Sequence, residues 1–220
     1  TSSPLSQTVN KASSTTTVTC TAGPFVYNGN AQTPCSASVT GAGGLSQALT
    51  VNYSGNLHAG TATASASYAG DANHEGSNDS QSFTIAKRDV TASISAADKT
   101  YDGSDSATID SCSLESATAN HGVVSPDAVG CAASNGHFDD ANAGSDKDVS
   151  ADVELTGANK ANYQLTSATA STSASIDRRT RRFDRVGSHD GIGTAARKRA
   201  AIPSSPCSIA WPTTLGSGQA

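Results

Sequence analysis

The chain has 220 residues, 35% hydrophobic and only 5% aromatic, with a formal net charge of −5. So few large apolar side chains exclude a thick helical enzyme core and suit small β units with Ala, Val and Thr at the inward positions. No apolar run reaches the ~18 residues of a membrane helix, so no membrane insertion is expected.

Charge is unevenly placed. Residues 1–177 hold 6 Lys and Arg against 17 Asp and Glu, a net −11, whereas residues 178–220 hold 8 against 2, a net +6. An acidic body and a basic tail are therefore read apart. Thr1 in place of Met, and no visible leader, lead us to expect a segment of a longer protein.

In chain order, "SQTVNK" (Ser6 to Lys11) matches "QSFTIAK" (Gln81 to Lys87), so residues 1–11 are expected to be the last strand of a preceding repeat. Residues 12–87 then form a first unit. It opens on "TTTVTC" and turns at Asn28-Gly29, a dipeptide that tolerates positive φ. Cys35, Ala37 and Val39 share a face, as do Leu49, Val51 and Tyr53, and then Ala62, Ala64, Ala66 and Tyr68; this period of two predicts strands.

Residues 88–177 repeat the plan. After the short linker "AKRD" (Ala86 to Asp89), Val90, Ala92, Ile94 and Ala96 alternate with polar residues. "KTYDGS" (Lys99 to Ser104) aligns with "FVYNGN" (Phe25 to Asn30), placing Tyr101 opposite Tyr27. "NAGSDKDVSADVELTGANKAN" (Asn142 to Asn162) aligns with "HAGTATASASYAGDAN" (His58 to Asn73), pairing Gly144 with Gly60 and Gly157 with Gly70. Val149, Ala151, Val153 and Leu155 predict one inward face, and Ala170, Thr172, Ala174 and Ile176 the closing strand. The expected fold is all-β: two tandem immunoglobulin-like β-sandwich modules followed by a disordered basic tail over 178–220.

Five cysteines are present and no C-x-x-C, which disfavours zinc. One disulfide per unit is expected, Cys20 with Cys35 and Cys112 with Cys131, in an oxidising compartment; buried free thiols are the alternative. Cys207 is left over and sits in the tail.

These residues invite four chemical readings. Asp98, Asp102 and Asp105 in "DKTYDGSD" supply calcium-type oxygens, but the spacing is not that of an EF-hand loop. The aligned "FVYNGN" keeps the turn without the acids, so the corner is read as a turn. Asp139 with Asp140, and Asp146 with Asp148, are read as solvated strand ends. No G-x-S-x-G occurs, and His58, His74, His121 and His137 fall in predicted turns, His58 and His74 at repeat positions that read as exposed and interchangeable, so hydrolysis is not expected. Neither Gly41-Ala42-Gly43-Gly44 nor Gly191-Ile192-Gly193-Thr194-Ala195-Ala196 sits in a βαβ context. The arginines between Arg178 and Arg199 lack a zinc framework or aromatic platform, so no nucleic-acid partner is expected.

The second unit, with Tyr101-Asp102-Gly103 near its start, Phe138 and Asn142-Ala143-Gly144 in the middle, and Gly157, Asn162 and Tyr163 late, resembles the YDG-type repeat of large bacterial surface and adhesin proteins. It departs from that pattern in having Cys112 and Cys131. The first unit, with "YNGNAQTPC", "VTGAGGLSQ" and "AGTATASASYAGDANHEGS", resembles Ig-like (MBG-like) repeats of similar proteins. The resemblance implies a secreted, cell-surface, non-catalytic spacer that needs no cofactor and whose partners are neighbouring repeats of the same chain. The alternative is a module that grips a glycan or host surface protein, with Tyr27, Tyr101 and Phe138 as its aromatic candidates.

Overall fold

Small apolar side chains alternating with Ser and Thr cannot make the wide apolar stripe a helix needs, but they do make strands with one inward face. The computed structural model describes Leu5 and residues 7–180, and among these there is no α-helix, only the 3₁₀ turns Ala42–Gly44 and Lys160–Asn162. The chain is all-β.

In the first half the strands are β1 (Ser14–Cys20), β2 (Phe25–Val26), β3 (Cys35–Gly41), β4 (Leu45–Leu49), β5 (Asn52–Ser54), β6 (Gly60–Tyr68) and β7 (Ser77–Ala86). One sheet runs β1-β3-β4 and the other β2-β7-β6-β5; every pair is antiparallel except β2 with β7. The second half contains β8 (Arg88–Val90), β9 (Ala92–Ala96), β10 (Lys99–Thr100), β11 (Ile109–Leu114), β12 (Gly130–Phe138), β13 (Gly144–Thr156), β14 (Tyr163–Leu165) and β15 (Thr169–Asp177).

Its sheet β10-β15-β13-β12 repeats the order β2-β7-β6-β5, including the parallel first pair, and the β9-β11 pair corresponds to β1-β3. A parallel pair of β8 with β14, Arg88 opposite Tyr163, matches a parallel bridge of Ala12 with His74. The repeat read from residues is thus a repeat of hydrogen bonding.

The inward faces follow the alternation. Ala62, Ala64 and Ala66 are buried on β6, against Val18, Tyr27, Phe83 and Ile85. That cluster does not end with the first half: Val90 and Tyr163 belong to it, with Leu114, Val123, Val129, Leu155 and Leu165 packed against it. Two smaller clusters, around Phe138 and Val149 and around Ile94 and Val153, fill the second half. Residues 7–180 accordingly belong to one compact unit.

Three expectations need correction. The Leu49–Val51–Tyr53 run is two strands: β4 ends at Leu49 in one sheet and β5 begins at Asn52 in the other. All three side chains still face the first core, because a chain crossing between packed sheets keeps its inward parity. Val90 to Ala96 likewise splits at Thr91 into β8 and β9, which pair with β14 and β11. The linker "AKRD" shrinks to Lys87 alone, since β7 ends at Ala86 and β8 starts at Arg88. Residues 7–11 are exposed and carry no strand; the partner that a closing strand of a preceding repeat would need is not among the described residues. The tail from residue 181, with Cys207, lies outside the described residues.

Both disulfides are present, in dissimilar places. Cys20–Cys35 ties directly opposed residues of β1 and β3, whereas Cys112–Cys131 ties β11 of one sheet to β12 of the other. Loops of 15 and 19 residues are closed, and closing loops of this length stabilises by about 3 kcal/mol. Replacing either pair by serines should lower the unfolding free energy in urea by about 2–4 kcal/mol. Unchanged denaturation midpoints would contradict this.

Candidate functional site

The Tyr27 and Tyr101 corners are built alike. β2 lies parallel to β7, and the Tyr27 N–H donates to the Ala86 carbonyl at 3.0 Å; β10 lies parallel to β15, and the Tyr101 N–H donates to the Asp177 carbonyl at 2.8 Å. The next residue closes a side-chain turn in each: Asn28 Oδ1 accepts from the Asn30 N–H and Asp102 Oδ1 from the Ser104 N–H, both at 2.9 Å. Gly29 and Gly103 follow in the left-handed region, at φ +79° and +85°.

The three carboxylates of "DKTYDGSD" therefore have separate places. Asp98 Oδ1 accepts the Ser175 N–H at 2.6 Å. Asp102 pairs with Lys99 at 2.9 Å, and that ammonium together with the Ser104 N–H holds its carboxyl down at about 2. Asp105 contributes its backbone carbonyl to the Phe138 N–H. Among the described residues no three His, Cys, Asp or Glu side chains converge as a metal site requires.

The corners differ in what covers them. Tyr27 is 3% exposed and Tyr101 is 43% exposed. Tyr27 is sealed by the second half. Its hydroxyl donates to Asp127 Oδ2 at 2.8 Å, and the Tyr163 hydroxyl donates to the same oxygen at 2.6 Å. The two rings meet edge to face, centroids 5.5 Å apart, and the His58 ring stacks on Tyr27 at 6.5 Å. The Tyr163 oxygen also accepts the Val124 N–H. Asn162, 4% exposed, accepts the Ala59 N–H at 3.0 Å.

Arg88 anchors the joint. It is 3% exposed, and its guanidinium donates only to backbone carbonyls: Nε to Gly122 at 2.8 Å, and the terminal nitrogens to Tyr27, Thr118 and His121. One of these carbonyls belongs to the first half and three to the loop between β11 and β12, so a single planar fork fixes both sides.

Burial first, and then the Asp127 carboxylate at its hydroxyl, pushes Tyr27 up to about 12; the same causes raise Tyr163. A group whose folded value exceeds its unfolded value contributes stability below the unfolded value and loses it as pH rises through the folded one.

The other sequence candidates scatter. Phe138, 1% exposed, is core, and so is Tyr27; of the three aromatic candidates only Tyr101 faces solvent. Asp139 and Asp140 share the Lys147 ammonium at 2.7 and 2.8 Å. Asp146 and Asp148 lie on β13, where the Asp148 carbonyl accepts the Asp139 N–H.

His74, expected to be exposed, is half-buried, and so is His121. His74 places Nε2 on the Ala42 carbonyl and Nδ1 on Asp71, which raises its pKa in that order of cause and leaves no nitrogen for a serine. His121 pairs with Glu115, and His137 Nδ1 meets the Asn135 carbonyl. Gly41 ends β3 and Ala42–Gly44 form the 3₁₀ turn that leads into β4; the Gly191 motif lies outside the described residues.

Sequence reasoning missed the roles of Arg88, Asp127 and Tyr163. A lone arginine directly after a closing strand, at a point read as linker, was the available signal. Asp127, inside "SPDAVG", gave none.

The YDG domain family model matches residues 85–172, so a YDG domain occupies most of the second half. No curated protein and no solved structure matches the chain.

Two outcomes are expected of the joint. Arg88→Ala takes the guanidinium donors from the buried Gly122 and Tyr27 carbonyls and from the part-buried Thr118 and His121 carbonyls and should cost about 3 kcal/mol in urea unfolding; a loss under about 0.5 kcal/mol, typical of a surface site, would contradict it. Stability should fall as pH rises from 10 through about 12, and a Tyr27→Phe, Tyr163→Phe double variant should flatten that fall. An equally steep fall in the double variant would count against the joint as its source.

Proposed function

We propose that the chain is a spacer: repeats of an extracellular, adhesin-like bacterial protein that hold another part of that protein at a distance and carry no catalytic residues. In this reading the halves are immunoglobulin-like modules, the first MBG-like and the second a YDG repeat, and their natural partners are neighbouring repeats of the same chain.

The observation that carries it is the joint at Lys87. One residue separates β7 from β8, and the next, Arg88, is buried against carbonyls of both halves. A connection this short, sealed by a charge that needs both sides, resists bending, and resistance to bending is what a spacer requires. The acidic, Ser- and Thr-rich surface supports solubility for such an array. The two disulfides support an oxidising, extracellular setting. The binding-module alternative keeps one exposed aromatic, Tyr101.

The test is a distance distribution between probes on exposed strand positions, Ser80 in the first half and Ser173 in the second, measured by pulsed electron paramagnetic resonance. A narrow distribution that broadens in Arg88→Ala is expected. A broad distribution in the unaltered chain, or reproducible capture on a glycan array that is lost in Tyr101→Ala, would replace the spacer reading.

A further inference from the structure

We propose that the exposed Tyr101 corner is a docking socket for a further unit of the kind formed by residues 88–177, seated there as residues 88–177 seat on the Tyr27 corner. The proposal deepens the spacer reading and rests on its premise that like units follow one another.

The two corners can be placed in register residue by residue. Phe25 and Gly60 both pair with Ile85, and Lys99 and Gly144 both pair with Ile176. Ile85 and Ile176 are thus equivalent, and so are Tyr27 and Tyr101, two residues beyond the paired Phe25 and Lys99. Counting three residues on from each isoleucine reaches Arg88 and Arg179. Arg88 is buried with its fork on the Tyr27 carbonyl; Arg179 is exposed, beside a corner whose tyrosine is exposed. The chain leaves the second half carrying the arginine that would close a second joint.

The backbone shows the same unfilled match. A Cβ on Gly29 would meet Val124 of the docked half at 3.1 Å, whereas a Cβ on Gly103 meets nothing within 4 Å. Ala59, whose N–H is taken by Asn162 across the joint, corresponds to Ala143, which lines a shallow pocket with Ile176, Asp177 and Arg178. The occupant is chemically specified: it must bring an aspartate that accepts the Tyr101 hydroxyl, a tyrosine edge against its ring, and carbonyls for Arg179, as Asp127, Tyr163 and the 118–122 loop do for the first joint. The outer end of the first half does not qualify, because it has Ala12 and His74 where the second has Arg88 and Tyr163.

The experiment is an in-chain duplication, residues 1–178 followed by residues 88–220, which puts Arg88 of the added copy where Arg179 stands. Tyr101→Phe in one copy or the other lets each tyrosine be read alone by nitration with tetranitromethane and mass spectrometry. The inner Tyr101 should react about tenfold more slowly than the outer, in keeping with the 3% and 43% exposures of the two corners. Arg→Ala at the new joint should bring the two rates together, and Arg→Lys, which keeps the charge without the fork, should give an intermediate rate. Equal rates at inner and outer tyrosines would overturn the proposal. The spacer reading would then stand with a hinged joint, provided that the distances across Lys87 stay narrow. An added copy that proteases cut within its strands would also count against the proposal, since its sequence is one that already folds on an identical kind of corner.

Discussion

Everything in this structure turns on one buried cation. Arg88 sits between two β arrangements with thin cores of alanine and valine, and four of its five N–H donors find backbone carbonyls, one in the first half and three in the second. A guanidinium withdrawn from water is costly unless its donors are satisfied. Opening the joint would strip a donor from the Tyr27 carbonyl and pull apart the Tyr27–Asp127–Tyr163 cluster with it. The charge acts as a lock through the one bond that crosses to the first half, from its terminal nitrogen to the Tyr27 carbonyl at 3.3 Å.

The lock compensates for what the composition withholds. With 5% aromatic residues, neither half can bury much apolar surface, and small domains of that kind are marginal alone. Two devices answer the deficit. Disulfides close loops within each half, and the first core extends across Lys87 to take in Val90, Tyr163 and the leucines around them. The second half thus supplies the lid of the first, an arrangement in which neighbour contacts carry part of each unit's stability.

Much of this was legible in the residues, for identifiable reasons. Period-two alternation at Ala62 to Ala66 and Val149 to Val153 fixed which side chains point inward, because strand geometry leaves no other parity. The Asn28-Gly29 and Asp102-Gly103 dipeptides specified the turns, since the glycines take positive φ and the preceding side chains cap the backbone. Alternation persists through a sheet crossing, however, so it could not reveal that Thr50–Val51 and Thr91 are breaks. The joint was illegible for a different reason. Asp127 and Arg88 are 39 positions apart, and nothing local marks a charge as buried; Arg88 looked like linker because arginine usually is surface. Aligned tyrosines also misled: Tyr27 and Tyr101 share a backbone setting and differ only in whether a neighbour covers them.

The central claim is that the two halves are held as one cooperative body through this joint. Residue-resolved hydrogen exchange in rising urea tests it most directly, following the amides of Val39 and Ala64 in the first half and of Val149 and Ala151 in the second. The account predicts that all four lose protection together, and that Arg88→Ala separates them into two steps. Two steps in the unaltered chain, with either half opening well before the other, would contradict it.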